Sequence, residues 1–102
     1  MRLRAELEQV FLKRAAGGVE AQLVLERESG ARERSTMTLA AVELAAASRL
    51  LGRALARQID VSGVGRCRVR VARAQGLVDD VGLRDELRSA FAAERRRLER
   101  AA

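Results

Sequence analysis

Two segments in which apolar and polar residues alternate constrain the fold most. An alternation of period two fits a strand that buries one face, and it does not fit a helix. The segments span residues 19–26 and 66–73. Their apolar positions are Val19, Ala21, Leu23 and Leu25 in the first and Cys67, Val69 and Val71 in the second. The sequence therefore predicts two half-buried strands.

A third strand is predicted at residues 31–38, directly after the first of these. Ser29 and Gly30 are typical of the two-residue turn of a hairpin. The segment that follows begins Ala31-Arg32-Glu33-Arg34 and has little apolar surface. Charged side chains are a common protection of unpaired strand edges. We therefore expect this strand to lie at the edge of the sheet.

Three helices are predicted from apolar residues that recur every three or four positions. The first helix covers residues 3–14 and is ended by Gly17-Gly18. The second helix covers residues 39–58 and is capped by Thr38. The third helix covers residues 81–100, follows a break at Gly76 and is capped by Asp79 or Asp80. Their apolar stripes are Leu3, Leu7, Val10 and Phe11 in the first helix, Leu44, Leu51 and Leu55 in the second, and Leu83, Leu87, Phe91 and Leu98 in the third.

These elements predict one small α+β domain over residues 1–102. The expected order is α-β-β-α-β-α, with a small three-stranded, mostly antiparallel sheet on which the helices pack. The order is shared by many unrelated small domains, so it does not identify a function.

The apolar residues predict a thin core. They are nearly all Leu, Val and Ala, and Phe11 and Phe91 are the only aromatic residues. Small side chains bury less area each, so a second copy of the chain would help to cover the core. We expect self-association through an edge strand or through apolar helix surfaces. The candidate residues are Val42, Leu50, Leu87, Phe91 and Leu98.

The composition argues against catalysis and against metal or cofactor binding. The chain has no histidine and one cysteine, Cys67, so no imidazole base or ordinary zinc site is available. The alternation places Cys67 with Val69 and Val71, which indicates an inert, buried thiol. The acidic pairs at residues 79–80 and 85–86 suit the start of a helix. The glycine loop at residues 62–66 lacks the features of a nucleotide-binding loop. We expect no enzyme, no metal and no cofactor.

Residues 49–73 form a basic cluster. The net charge of the cluster is +6, which equals the net charge of the whole chain. Its arginines are Arg49, Arg53, Arg57, Arg66, Arg68, Arg70 and Arg73, and its one acidic residue is Asp60. Arginine binds phosphate and carboxylate in a bidentate manner, so the cluster suggests a nucleic acid, either DNA or RNA, or an acidic protein surface as partner. Alternatively, its strand arginines form ion pairs with Glu20, Glu26 and Glu28.

Two hypotheses follow for the function. The first is a non-enzymatic binding or assembly module that associates with itself. The alternative is a nucleic-acid-binding protein that contacts phosphates through the basic cluster. A single cysteine does not suggest an oxidising compartment, no segment has the roughly 18 apolar residues of a membrane span, and the charged start does not resemble a signal peptide. We therefore expect a cytoplasmic protein that does not bind membranes.

Overall fold

The first element of the described residues is a long strand, and four further strands and two helices follow it. The computed structural model describes residues 4–58 and 60–101. The elements are β1 (Ala5–Ala15), β2 (Gly18–Arg27), β3 (Arg32–Leu39), α1 (Leu44–Arg57), β4 (Arg68–Arg73), β5 (Gly76–Asp79) and α2 (Val81–Ala101).

The five strands form one mixed sheet in the order β3-β2-β1-β4-β5. β1 pairs antiparallel with β2 and parallel with β4, so it is the central strand. β3 and β5 each pair with one neighbour and form the two edges. The connection from β3 through α1 returns the chain to β4, beside β1, as a parallel pairing requires.

The prediction of a three-stranded, mostly antiparallel sheet in the order α-β-β-α-β-α is wrong. The first predicted helix is strand β1, and a fifth strand follows Gly76. The cause of the first error is a β-bulge between Leu7 and Gln9, which shifts the register against β2. The buried positions are therefore odd-numbered before the bulge, at Ala5 and Leu7, and even-numbered after it, at Val10 and Leu12. The spacing of three between Leu7 and Val10 imitates a helix. Leu3, which completed the predicted stripe, lies outside the described residues.

Two other boundaries also differ from the prediction. Thr38 does not cap a helix, because β3 continues to Leu39 and α1 begins at Leu44. The N-cap position belongs to Glu43, whose side chain makes no capping hydrogen bond. β5 was not predicted because its four residues are all exposed, so no alternation of buried and exposed positions marks it as a strand.

The remaining elements agree with the prediction. β2 and β4 are half-buried strands, β3 is an edge strand, and α2 spans nearly the predicted residues. Asp80 caps α2, since its Oδ1 accepts a hydrogen bond from the Leu83 amide at 3.0 Å. Among the described residues, neither helix has both the length and the apolar character that crossing a membrane requires.

Both helices pack on the same face of the sheet, and the buried apolar residues form one cluster between them and the strands. The helices run in the same direction, because ion pairs join Arg49 to Glu86 and Arg57 to Glu94 with the same offset along each helix. They approach most closely at Gly52, where an added Cβ would overlap the Leu87 carbonyl oxygen and lie 3.0 Å from the Ala90 Cβ. A glycine is therefore required where α1 crosses α2.

We predict that Gly52→Ala destabilises the fold although alanine is the better helix former. The methyl group has a backbone atom in its way, so the helices must separate, at a net cost of about 1–3 kcal/mol. Gly82→Ala is the matched control, because its Cβ would meet only the Asp80 Oδ1 at 3.4 Å. That variant should gain up to about 1 kcal/mol. Urea unfolding followed by circular dichroism measures both, and equal stabilities would contradict the close crossing.

Candidate binding surface on the open face of the sheet

The helices leave one face of the sheet uncovered, and we call this the open face. The strand registers place alternate side chains of all five strands on it. At its centre lies Phe11 of β1, half-buried, between Gln22 of β2 and Arg70 of β4. The Arg70 guanidinium carbon lies 5.8 Å from the centre of the Phe11 ring, a cation–π distance. One of the two aromatic residues of the chain is therefore outside the core.

Four apolar residues form a band across the open face. The apolar band consists of Phe11, Val24, Ala72 and Leu77. Leu77 is 51% exposed, and its exposure is informative because it adjoins the other three residues of the band. The band lines a shallow groove of about 460 Å³, together with polar side chains such as Gln22 and Thr36. An apolar floor with a polar surround is the usual composition of a contact surface.

The strands contribute no net formal charge to the open face, because five basic and five acidic strand side chains share it. The basic residues are Lys13, Arg32, Arg34, Arg68 and Arg70, and the acidic residues are Glu6, Glu8, Glu20, Glu26 and Asp79. Arg32 donates a hydrogen bond to Glu8 at 2.9 Å. Arg68 lies 2.9 Å and Arg70 3.1 Å from Asp79. The hydrogen bond from Arg68 is the main cause that lowers the pKa of Asp79. This face does not present a positive surface.

Five of the seven arginines of the basic cluster form ion pairs, but with partners other than the predicted ones. Arg49 pairs with Glu86, Arg57 with Glu94, Arg68 and Arg70 with Asp79, and Arg73 with Asp80. Within residues 4–58 and 60–101, no ion pair joins the cluster to Glu20, Glu26 or Glu28. In the same part of the chain, no carboxylate lies within ion-pair distance of Arg53 or Arg66.

The sheet also separates the basic cluster into two parts. Arg49, Arg53 and Arg57 belong to α1, on the helix side of the sheet. Arg68 and Arg70 point to the open face, since they alternate with the buried Val69 and Val71. The structure therefore does not bring the predicted phosphate-binding residues to one surface.

The residues predicted for self-association are dispersed as well. Leu87 is fully buried and Phe91 is 8% exposed, so both belong to the core of the single chain. Leu50 and Leu98 are half-buried, and Leu50 packs against the core. Val42 is 86% exposed, but it lies in the loop before α1, where its carbonyl accepts a hydrogen bond from Arg14. Most apolar residues of the two helix stripes are therefore buried within the single chain.

Other α2 arginines have structural partners. Arg88 donates a hydrogen bond to the carbonyl of Gly65, and Arg95 to that of Val61. Both carbonyls belong to the segment that leads to β4, which also bonds to β1 through Gly63 and Leu7 at 2.9 Å. These guanidinium groups fix a connecting segment.

Glu94 links the two helices through a buried carboxylate. It is only 5% exposed and accepts hydrogen bonds from the Arg57 and Arg97 Nε atoms, each at 2.6 Å. The hydrogen bonds from Arg97 and Arg57 lower the pKa of Glu94 from its ordinary value of 4.5 to about 2. The carboxylate is therefore ionised at neutral pH and holds α1 against α2.

Cys67 is buried, as the sequence predicts. Burial raises the pKa of its thiol to about 11, and the charges of Arg88 and Arg84 offset only part of that increase. The group is a protonated thiol at neutral pH and is not a nucleophile. Within the described part of the chain, no three metal-ligating side chains come together.

The apolar band was not predicted from the sequence. Its one visible signal was Val24, an apolar residue at a polar position of the alternating segment 19–26. Phe11 was assigned to a helical stripe, and Leu77 was assigned to no element. Only the pairing of β1 with β2 and β4, and of β4 with β5, brings the four residues together.

We predict that Glu94→Gln removes a pH-dependent part of the stability. The pKa of Glu94 is lowered in the folded state, so its contribution is complete above its ordinary value of 4.5 and is lost as the pH falls towards 2. The stability difference between wild type and variant should be constant above pH 4.5 and shrink below it. Glu99→Gln, at an exposed position of the same helix, is the control and should change little. Urea unfolding at several pH values measures this, and a difference that grows on acidification would contradict it.

No protein-family model, curated protein or solved structure matches this chain. Its function is therefore inferred from the geometry alone. The feature of that geometry most suited to binding is the apolar band at the centre of the open face, whose strands carry equal numbers of basic and acidic residues.

Proposed function

We propose that the chain is a non-enzymatic binding and assembly module that contacts its partner through the apolar band of the open face. The observation that carries this proposal is the position of Phe11, at the centre of an uncovered sheet face with Val24, Ala72 and Leu77 around it. Aromatic side chains in a shallow apolar surface are typical anchors of protein–protein contacts. The lack of histidine and the buried state of Cys67 support a role without catalysis.

The open face is the surface of this sheet that α1 and α2 leave available to a partner. Both helices pack on the other face, over the core. The helix surfaces proposed from the sequence are less suitable, because Leu87 and Phe91 are already buried.

The competing hypothesis of phosphate binding has less support. Most arginines of the basic cluster neutralise carboxylates, and the sheet separates those of α1 from those of β4. A surface that binds phosphates needs several unpaired cations on one side. A cytoplasmic location remains a prediction from the sequence.

A photo-crosslinking residue tests the proposed surface. We predict that p-benzoylphenylalanine in place of Leu77 yields protein adducts in cells that express the chain. The same residue in place of Val42, which is even more exposed but off the open face, should yield none. Electrophoresis and mass spectrometry identify the adducts. Equal adducts at both positions, adducts with nucleic acid, or none at Leu77 would contradict the proposal.

A further inference from the structure

We infer that the partner of the open face is a second copy of the chain, packed face to face as an aligned sandwich with its twofold axis along β1. The inference rests on the proposed function, because it uses the same surface. It follows from the charge of each strand on that face.

The charges of the open face are sorted by strand. β3 contributes only basic residues to it, Arg32 and Arg34, and β2 only the acidic Glu20 and Glu26. β4 contributes Arg68 and Arg70, and β5 contributes the acidic Asp79. β1, in the middle, carries both signs, with Glu6, Glu8 and Lys13. Basic and acidic strands therefore occupy opposite positions about the central strand.

A twofold axis along β1 pairs these strands with opposite charge. Rotation by 180° about that axis places β2 over β4 of the partner and β3 over β5 of the partner. Each basic strand then faces an acidic strand, on both sides of the axis. A twofold contact must be self-complementary in this way.

The same axis brings Phe11 to the centre of the contact and aligns the strands of the two sheets. Phe11 lies on β1, so the two phenylalanine rings meet on the axis at the centre of the contact. Strands of the two sheets run nearly parallel to each other, which is the aligned packing common in β-sandwiches.

The area of the open face sets the expected strength. Five strands about 4.8 Å apart and about seven residues long present roughly 500 Å² per copy. The total of about 1,000 Å² is at the lower limit for a specific interface. We therefore expect a reversible dimer that dissociates at micromolar concentrations.

The first test is the mass in solution by sedimentation equilibrium over a wide concentration range. Wild type should reach twice the chain mass of 11.2 kDa. The double variant E20K/E26K should weaken the dimer about tenfold or more, because β2 then faces β4 with like charge. Mixing it with R68E/R70E should restore association, since both contacts then join opposite charges. Circular dichroism of each variant confirms that it is folded.

The second test locates the axis without altering a charge. In a Cys67→Ala background, Gln9→Cys places a thiol on β1, beside the axis, and Thr36→Cys places one on β3, two strands away. A short bismaleimide should join two copies through position 9. It should not join them through position 36, where the two thiols are about four strand spacings, or 19 Å, apart. The two variants lie on the same face and are matched controls for each other.

The outcomes separate this inference from the proposed function. A dimer that crosslinks at position 9 and responds to the charge exchange supports both. A dimer that crosslinks equally at both positions, or ignores the charges, overturns the axis along β1 but keeps a binding role for the open face. A chain that stays monomeric, with Leu77 adducts of another protein, overturns the second copy as partner. Absence of Leu77 adducts would overturn the proposed function itself.

Discussion

The pairing of β1 with both of its neighbours is the interaction on which the rest of the structure depends. β1 holds β2 through an antiparallel ladder and β4 through a parallel one. The parallel ladder requires a crossover, and α1 supplies it on one side of the sheet. α2 packs beside α1 on that same side, with Gly52 at the crossing. As a result, one face of the sheet holds the core and the other is left open.

Arginine has different roles on the two sides of this sheet. On the helix side, Arg57 and Arg97 bind the buried Glu94, while Arg88 and Arg95 bind carbonyls of the segment before β4. On the open face, Arg68 and Arg70 share Asp79. An arginine-rich composition therefore does not by itself indicate a binding surface for phosphate. Here most of the guanidinium groups form contacts that stabilise a single chain.

The elements that could be predicted from the sequence are those in which buried residues recur at an uninterrupted, regular spacing. β2, β4 and α2 each bury residues at regular intervals, and the Asp80 cap is local, so all of them could be found. β1 was misassigned because its bulge interrupts the alternation, and β5 was missed because none of its residues is buried. The apolar band could not be predicted, since it joins residues of four strands through register alone. Of the candidate site, only Val24 had a local signal.

The parallel arrangement of α1 and α2 brings the negative ends of both helix dipoles to the same end of the molecule. Carbonyl groups in the last turns of two helices then repel each other and attract cations. Arg57 ends α1, and Arg97 and Arg100 stand in the last turns of α2. These positive charges offset the partial negative charge of the helix ends, so the electrostatic field there is weaker than a count of arginines suggests.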